Sequence, residues 1–243
     1  IYAARDIASA LWRIEKFKPD LMLYVVGAEQ KMHFSQLFAT LKKMGIRINA
    51  EHIPFGLVRL PTGRMSTRKG RVVFLEDVIK EAVERVLEIM KERGVEDKEI
   101  ARKIAVGAIK FADLKNNRIK DVVFTWDILK FEGETGPYVQ YACVRAKRVV
   151  EKFGRGKMGK VGEEEARIAR KLIRLRIALI EAKRLRRPDI VANWCLDIAK
   201  AFNEFYEKYK IGGNATREWL TFKVAESLEK ALELLGIEVP PLM

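Results

Sequence analysis

Residues 21–41 read LMLYVVGAEQKMHFSQLFATL and set the expected fold of the first part of the chain. The run 21–26 is continuously apolar and is bounded by Asp20 and Gly27, a pattern typical of a fully buried parallel strand. A helix is predicted over residues 3–17 before it. Behind the strand, apolar side chains recur at helical spacing: Phe34, Leu37, Phe38 and Leu41. Helix, strand, glycine and helix in this order predict a doubly wound α/β sheet.

The turn after this strand, residues 27–30, is the expected binding position, because ligands in such sheets collect at the carboxyl ends of strands. Tyr2 and Asp6 lie four residues apart, on one face of the first helix, and Gln30 follows the strand. These three side chains predict a polar site. The alternative is that Asp6 is an early-helix carboxylate favoured by the helix dipole and Tyr2 an aromatic at the edge of the core.

A cationic segment follows at residues 56–76, GLVRLPTGRMSTRKGRVVFLE. The apolar runs 56–60 and 72–75 are each short enough for a strand, and glycine and proline interrupt the part between them, so we expect a loop there. Hydroxyl groups, cations and closely approaching backbone N–H groups are what binding a polyphosphate requires. A basic hairpin tip that only keeps the protein in solution is the competing interpretation.

Beyond this segment the pattern is helical. Strong apolar periodicity predicts a helix over 75–90 and a second over about 97–113, and no convincing strand pattern recurs after them. We therefore expect α/β plus all-α architecture: residues 1–55 as a doubly wound α/β part, 56–100 as the loop and connecting helices, and 101–243 as an all-helical bundle.

Residues 124–148, FTWDILKFEGETGPYVQYACVRAKR, place a glycine turn directly before a helix that Pro137 is suited to open. Tyr138, Tyr141 and Arg145 then fall on one helix face. Unstacked bases of single-stranded RNA loops are bound by such aromatics with arginine nearby. The alternative is that both tyrosines anchor the helix to its bundle.

The formal charge of +14 is concentrated in residues 145–187, which hold 16 lysines and arginines against five glutamates. A phosphate backbone explains such a patch, and an anionic membrane surface is the competing partner for a basic amphipathic helix. No apolar run approaches the roughly 18–20 residues of a membrane span. Cys143 and Cys195 have no metal-ligand spacing and are expected to be buried thiols in a reducing compartment, the cytoplasm. His33 and His52 are the only histidines, so no histidine-rich metal site is expected.

Three motif regions, one of them made of two stretches, carry a family resemblance. RMSTR at 64–68 resembles the KMSKS signature of class I aminoacyl-tRNA synthetases, and the longer MSTRKGRVVFLEDV is similar to the form of that loop in arginyl-tRNA synthetases. FEGETGPYVQYACVR is similar to the opening of their DALR-type anticodon-binding domain, with small departures at Cys143 and Val144. YAARDIASALW and YVVGAEQKMHF resemble their arginine-binding segments.

The resemblance implies that residues 1–55 are the second half of a doubly wound nucleotide-binding domain and that 101–243 are the helical anticodon-binding (DALR-type) domain. It also implies roles for individual residues. The arginine substrate would contact Tyr2, Asp6 and Gln30, and ATP would contact His33, Gln36, Met65 and Ser66. The catalytic loop would be Met65, Ser66, Thr67, Arg68 and Lys69. Thr67 stands where the motif has its second lysine, which leaves open whether Arg68 or Lys69 stabilises the pyrophosphate. The tRNA anticodon would contact Glu134, Tyr138, Tyr141, Arg145, Tyr206 and Met243.

The implied activity is that of an arginine–tRNA ligase: L-arginine and ATP, with Mg2+, give arginyl-adenylate, and the arginine passes to the 3′ end of tRNA-Arg. We expect a monomer with no membrane association. The other class I signature, HIGH, is not among these 243 residues, so we expect a fragment that binds tRNA without adenylation activity. A non-catalytic RNA-binding module and a basic helical protein that docks on membranes are the alternatives.

Overall fold

The computed structural model describes residues 2–59, 74–92 and 94–243. Its compact regions fall into two units. The first unit joins Ile1–Arg59 with Arg118–Val123, and the second consists of Leu60–Asn117 and Phe124–Met243. The division of the sequence at residues 55 and 100 stays a prediction. The loop residues 65–69 that were assigned a catalytic role lie outside the described residues.

The first unit contains the predicted α/β arrangement. Its elements are helix α1 (Tyr2–Phe17), strand β1 (Met22–Gly27), a 3-10 turn (Ala28–Gln30), helix α2 (Lys31–Lys43) and strand β2 (Ala50–Phe55). Strands β1 and β2 pair in parallel, from Met22 opposite Ala50 to Gly27 opposite Phe55. The core between helices and strands is formed by Ala10, Met22, Phe34, Leu37 and Leu41.

The prediction that the first strand is fully buried is wrong. Leu23 and Val25 are 45% and 64% exposed, whereas Tyr24 and Val26 pack against the core of this unit. Only one face of β1 is covered by the described residues. An apolar run shows that both faces of a strand tolerate burial, but it does not show which of them is covered in this chain.

A second, very short parallel pair joins β3 (Val58–Arg59) to β4 (Val122–Val123). The Leu57 N–H donates to Asp121 Oδ1 at 2.8 Å, which holds the two segments together beside the strands. Strand β4 was not predicted, because two residues are too few to show the alternating pattern of a strand. The predicted strand at 72–75 is wrong at Leu75, which begins a helix, and residues 72 and 73 lie outside the described part.

The second unit begins with helices α3 (Leu75–Glu92) and α4 (Lys98–Leu114), followed by a 3-10 turn at Trp126–Leu129. Both helices confirm the predicted ones. Asp97 caps α4 by accepting from the backbone N–H groups of Glu99 and Ile100. These elements share one apolar cluster, called here the stem cluster, whose buried residues are Ala82, Val83, Val86, Met90, Ile100, Ala101, Ile104, Ala105, Ala108 and Leu129.

The rest of the second unit is a four-helix arrangement. Its helices are α5 (Gly136–Phe153), α6 (Glu163–Leu185), α7 (Asp189–Lys208) and α8 (Ala215–Leu234). They enclose a larger core that includes Val139, Phe202 and Leu228. Helices α4 and α5 approach closely: a Cβ at Gly136 would lie 2.9 Å from the Gly107 carbonyl oxygen. None of the described helices has the length and apolar character needed to cross a membrane.

Candidate functional site

A cavity of about 460 Å³ opens between α5, the end of α7 and the segment that follows α7. Its walls combine aromatic rings, cations and a few apolar side chains. None of the residues that line it is acidic. The lining consists of Tyr141, Val144, Arg145, Arg148, Val149, Lys152, Phe153, Tyr206, Tyr209, Lys210, Ile211 and Gly212.

Arg145 is the central side chain of this cavity. Its guanidinium carbon lies 4.6 Å from the centroid of the Tyr141 ring and 4.8 Å from that of Tyr206. The guanidinium also donates to Asn203 Oδ1 at 2.8 Å and to the Tyr141 hydroxyl at 3.2 Å. Asn203 is only 8% exposed, so its hydrogen bond anchors the arginine to a buried side chain. A flat cation between two rings offers stacking and charge to one ligand.

The sequence at the start of α5 fixes where the helix begins and therefore which of its side chains line the cavity. Thr135 Oγ1 accepts from the Tyr138 N–H at 3.2 Å, and Pro137 lies in the first turn. From Tyr141 the helical spacing then continues through Arg145 to residues that line the same cavity, Arg148 and Lys152.

Arg217 supports the opposite wall. Its side chain donates to Glu165 Oε1 at 2.8 Å and to the Lys210 carbonyl oxygen at 3.1 Å, and it lies 5.0 Å from the Tyr209 ring centroid. The hydrogen bond from Arg217 lowers the pKa of Glu165 below its usual value, while burial acts in the opposite direction. This ion pair therefore connects α6, α8 and two residues of the cavity wall.

The structure brings together three of the predicted anticodon residues, namely Tyr141, Arg145 and Tyr206. Tyr138 is partly buried against the helical core and does not line the cavity. Met243 packs against the stem cluster.

Glu134 is exposed and bonds to Lys200, with 2.7 Å between Glu134 Oε1 and Lys200 Nζ. The hydrogen bond and charge of Lys200 lower the pKa of Glu134. The roles assigned to Glu134, Tyr138 and Met243 stay predictions.

Sequence reasoning missed several residues of this site. Asn203 precedes Tyr206 by three positions, and Arg148 and Lys152 continue the stripe from Tyr141, so helical spacing was an available signal for all of them. Tyr209 had no such signal, because it follows the helix in extended backbone at φ −126° and ψ 133°.

In the first unit, Asp6 and His33 form a direct pair, with 2.7 Å between Asp6 Oδ2 and His33 Nε2. One was assigned to the arginine substrate and the other to ATP, so the geometry joins the two predicted subsites. Tyr2 is 78% exposed, and Gln30 and Gln36 are exposed as well. The roles given to Tyr2, Asp6, Gln30, His33 and Gln36 stay predictions.

Comparisons with known proteins agree with this architecture. Residues 1–126 match the family model for the catalytic domain of class I tRNA synthetases (R), and residues 139–243 match the DALR anticodon binding domain. The chain is 39% identical to the arginine–tRNA ligase of Clostridium acetobutylicum over 256 residues, and 41% identical to that of Clostridium kluyveri over 259 residues. Each alignment covers 98% of this chain and 46% of the relative, so the chain spans about half of their length.

Solved structures give the same result for the fold. The arginyl-tRNA synthetase of Thermus thermophilus superposes with a TM-score of 0.85 at 28% identity, over 100% of this chain and 49% of that one. The arginyl-tRNA synthetase of Plasmodium falciparum gives a TM-score of 0.83 at 22% identity, over 98% of this chain and 44% of that one.

Proposed function

The chain belongs to the class I arginyl-tRNA synthetase family, and on that premise we propose that it forms the arginine-binding and anticodon-binding part of an arginine–tRNA ligase. The observation that carries the proposal is the stacked Arg145 in a cavity without acidic lining. An unstacked RNA base has a flat π-face and lies next to a phosphate. The cavity offers rings to the base and cations to the phosphate.

The helical unit would bind the anticodon loop of tRNA-Arg. Tyr141 and Tyr206 would stack on bases that leave the loop, and Arg145 would orient one of them by donating to its edge. Arg148 and Lys152, which line the same cavity, would neutralise the neighbouring phosphates. Glu134, Tyr138 and Met243 would contribute at its margin.

The first unit would select L-arginine. A guanidinium requires a carboxylate and neutral acceptors in a planar array, which Asp6, Tyr2 and Gln30 can supply. The Asp6–His33 pair would hold the carboxylate in place while His33 faces the nucleotide. Lysine lacks the planar fork, so the acceptors would be left unpaired and lysine would be rejected.

ATP would be bound by His33, Gln36 and the loop that carries Met65, Ser66, Thr67, Arg68 and Lys69. Attack of the arginine carboxylate on the α-phosphorus needs positioning and charge neutralisation more than covalent help. The loop cations would stabilise the departing pyrophosphate. Magnesium would accompany ATP, held mainly by phosphates and water.

Binding of tRNA-Arg in a salt titration tests the proposal. We expect the 243-residue chain to bind tRNA-Arg more tightly than other tRNAs, and the preference to persist as salt weakens the shared phosphate contacts. Equal affinity for all tRNAs at every salt concentration would contradict the proposal. Binding to anionic vesicles in the absence of tRNA binding would support membrane docking instead.

A further inference from the structure

The segment that connects α5 to α6, residues 154–162, reads GRGKMGKVG. It carries Arg155, Lys157 and Lys160, and the chain has no acidic residue between Glu151 and Glu163. All nine of its residues are exposed. The segment begins directly after Phe153, a residue of the cavity wall. The function proposed above assigns no role to it.

The first part of this segment, residues 155–157, contacts α8 despite its exposure. The Lys157 N–H donates to the Ala215 carbonyl oxygen at 3.1 Å. Gly156 has a φ of +57°, and a Cβ there would collide with that same carbonyl oxygen, so only glycine permits the close approach to α8. The guanidinium of Arg155 lies 5.0 Å from the ring centroid of Phe222. Three contacts therefore hold its backbone and first cation against α8.

In the part of the chain that the structure describes, some cations of this region lack a carboxylate partner and others have one. Several neighbours are neutralised: Lys147 pairs with Glu229 at 2.7 Å and Arg167 with Glu204 at 3.1 Å. Among the described residues, no ion pair involves the six cations that follow the cavity onto this segment, called here the cationic margin: Arg148, Lys152, Arg155, Lys157, Lys160 and Lys210.

We propose that the cationic margin binds the sugar–phosphate backbone of the RNA whose bases enter the cavity. Unpaired cations on an anchored segment attract a polyanion without first breaking internal ion pairs. Because phosphates are the same at every nucleotide, this surface adds affinity and fixes orientation but does not read sequence. The inference rests on the proposed function and extends it from the bases to the flanking strand.

The test measures binding of an anticodon stem-loop of tRNA-Arg as salt rises from 50 to 200 mM. The double variant Lys157→Gln/Lys160→Gln removes two charges and keeps polar, flexible side chains. Each phosphate contact contributes about 0.7 to 0.9 to the slope of log affinity against log salt, so the slope should fall by about 1.4 to 1.8. Over this fourfold range, the wild type should lose roughly tenfold more affinity than the variant.

The matched control is Lys80→Gln/Lys98→Gln, two exposed lysines of α3 and α4, which should keep the wild-type slope. Gly156→Ala keeps every charge but displaces the segment from Ala215, and it should also weaken binding. Circular dichroism verifies that each variant is folded.

The outcomes separate the two proposals. An unchanged slope in the double variant, with wild-type preference for the tRNA-Arg loop, would overturn the cationic margin and leave the proposed function intact. A wild-type protein that does not discriminate between loop sequences would refute the proposed function, and this inference with it.

Discussion

Arg145 shows how one residue of the cavity combines two properties. Its guanidinium carbon lies 4.6 and 4.8 Å from the centroids of two tyrosine rings, and its N–H groups donate to Asn203 and Tyr141. A lysine at this position would keep the charge but lose both the stacking surface and the fixed fork of donors. The site therefore depends on ring geometry as much as on charge.

Tyr141→Leu tests the stacking role. The substitution keeps an apolar side chain but removes the ring, and base–aromatic stacking contributes about 1–3 kcal/mol per base. We expect affinity for the tRNA-Arg anticodon stem-loop to fall by roughly fivefold to 150-fold in a titration by fluorescence anisotropy.

Tyr141→Phe is the matched control. It keeps the ring and loses only the hydroxyl that accepts from Arg145, so its affinity should stay within about fivefold of wild type, since one hydrogen bond is usually worth about 1 kcal/mol. If the leucine and phenylalanine variants bound equally well, Tyr141 would be a packing residue.

The two cysteines give a prediction at the same scale. Burial raises the pKa of the Cys143 thiol to about 12 and that of Cys195 further, and both thiols are free. Because the thiolate is the reactive form, iodoacetamide at pH 8 should label neither cysteine in the folded protein and both in denaturant, as read by mass spectrometry. Labelling at equal rates in the two conditions would show that these thiols are accessible.

Helix α6 illustrates how one element is tied to the cavity wall. Its first turn carries Glu163, Glu164 and Glu165, and the helix dipole stabilises carboxylates at that end. Only Glu165 is buried, and it accepts from the Gly162 N–H at 3.1 Å as well as from Arg217. Its contribution to stability should therefore exceed that of its two neighbours.

Glu165→Gln should lower the free energy of unfolding by about 1.5–3 kcal/mol at pH 7, the range for hydrogen bonds to charged groups. The folded-state pKa of Glu165 lies below its usual 4.5. Its contribution is therefore complete above pH 4.5 and is lost as the pH falls through the lowered folded value. The difference between wild type and variant, from urea denaturation, should shrink in that acidic range.

Glu164→Gln is the control, because Glu164 lies in the same turn but is exposed. It should change stability by less than about 1 kcal/mol, the scale of an exposed charge near a helix terminus. A variant difference for Glu165 that persisted unchanged below pH 4 would show that the carboxylate charge is not the source of the stabilisation.

The helices were the most predictable elements, since apolar spacing and caps are local signals. The predicted start of α4 near Asp97 and its end near Asp113 differ from the observed helix by one residue each. Strand exposure was not predictable, because whether Leu23 and Val25 are covered depends on what packs over the sheet. The pairing of β3 with β4 was likewise hidden, because each strand has only two residues and 62 residues separate them.

The candidate site was predictable in part, for a related reason. Tyr141 and Arg145 share a helix face, which spacing reveals. The contact of Arg145 with Tyr206 joins two different helices. The resemblance placed both residues at the anticodon, but helical periodicity could not bring them together. The role of Phe153 and Gly212 in closing the cavity depends on the path of the chain after α7, which the sequence pattern leaves undetermined.

At the scale of the whole molecule, the two compact units do not coincide with the two family matches. The first family match extends to residue 126 and so includes α3 and α4, which belong to the second unit by their contacts. Helices α3 and α4 therefore belong to the catalytic-domain family by sequence and to the helical unit by packing.

We predict that the 243-residue chain alone does not catalyse ATP–pyrophosphate exchange, whereas it does bind tRNA-Arg. The HIGH motif of class I synthetases is not among its residues, and it spans 46% of its relatives. Radiolabelled pyrophosphate incorporation into ATP, with arginine present and absent, measures this. Arginine-dependent exchange above background would contradict the prediction.

Ultraviolet cross-linking of the chain to the tRNA-Arg anticodon stem-loop, with the linked peptides located by mass spectrometry, tests the central claim most directly. We predict that loop bases are joined to peptides that contain Tyr141 or Tyr206, and that the adducts on the Tyr206 peptide disappear with Tyr206→Leu. Adducts found only on other surfaces, such as the outer face of α6 or the first unit, would contradict it.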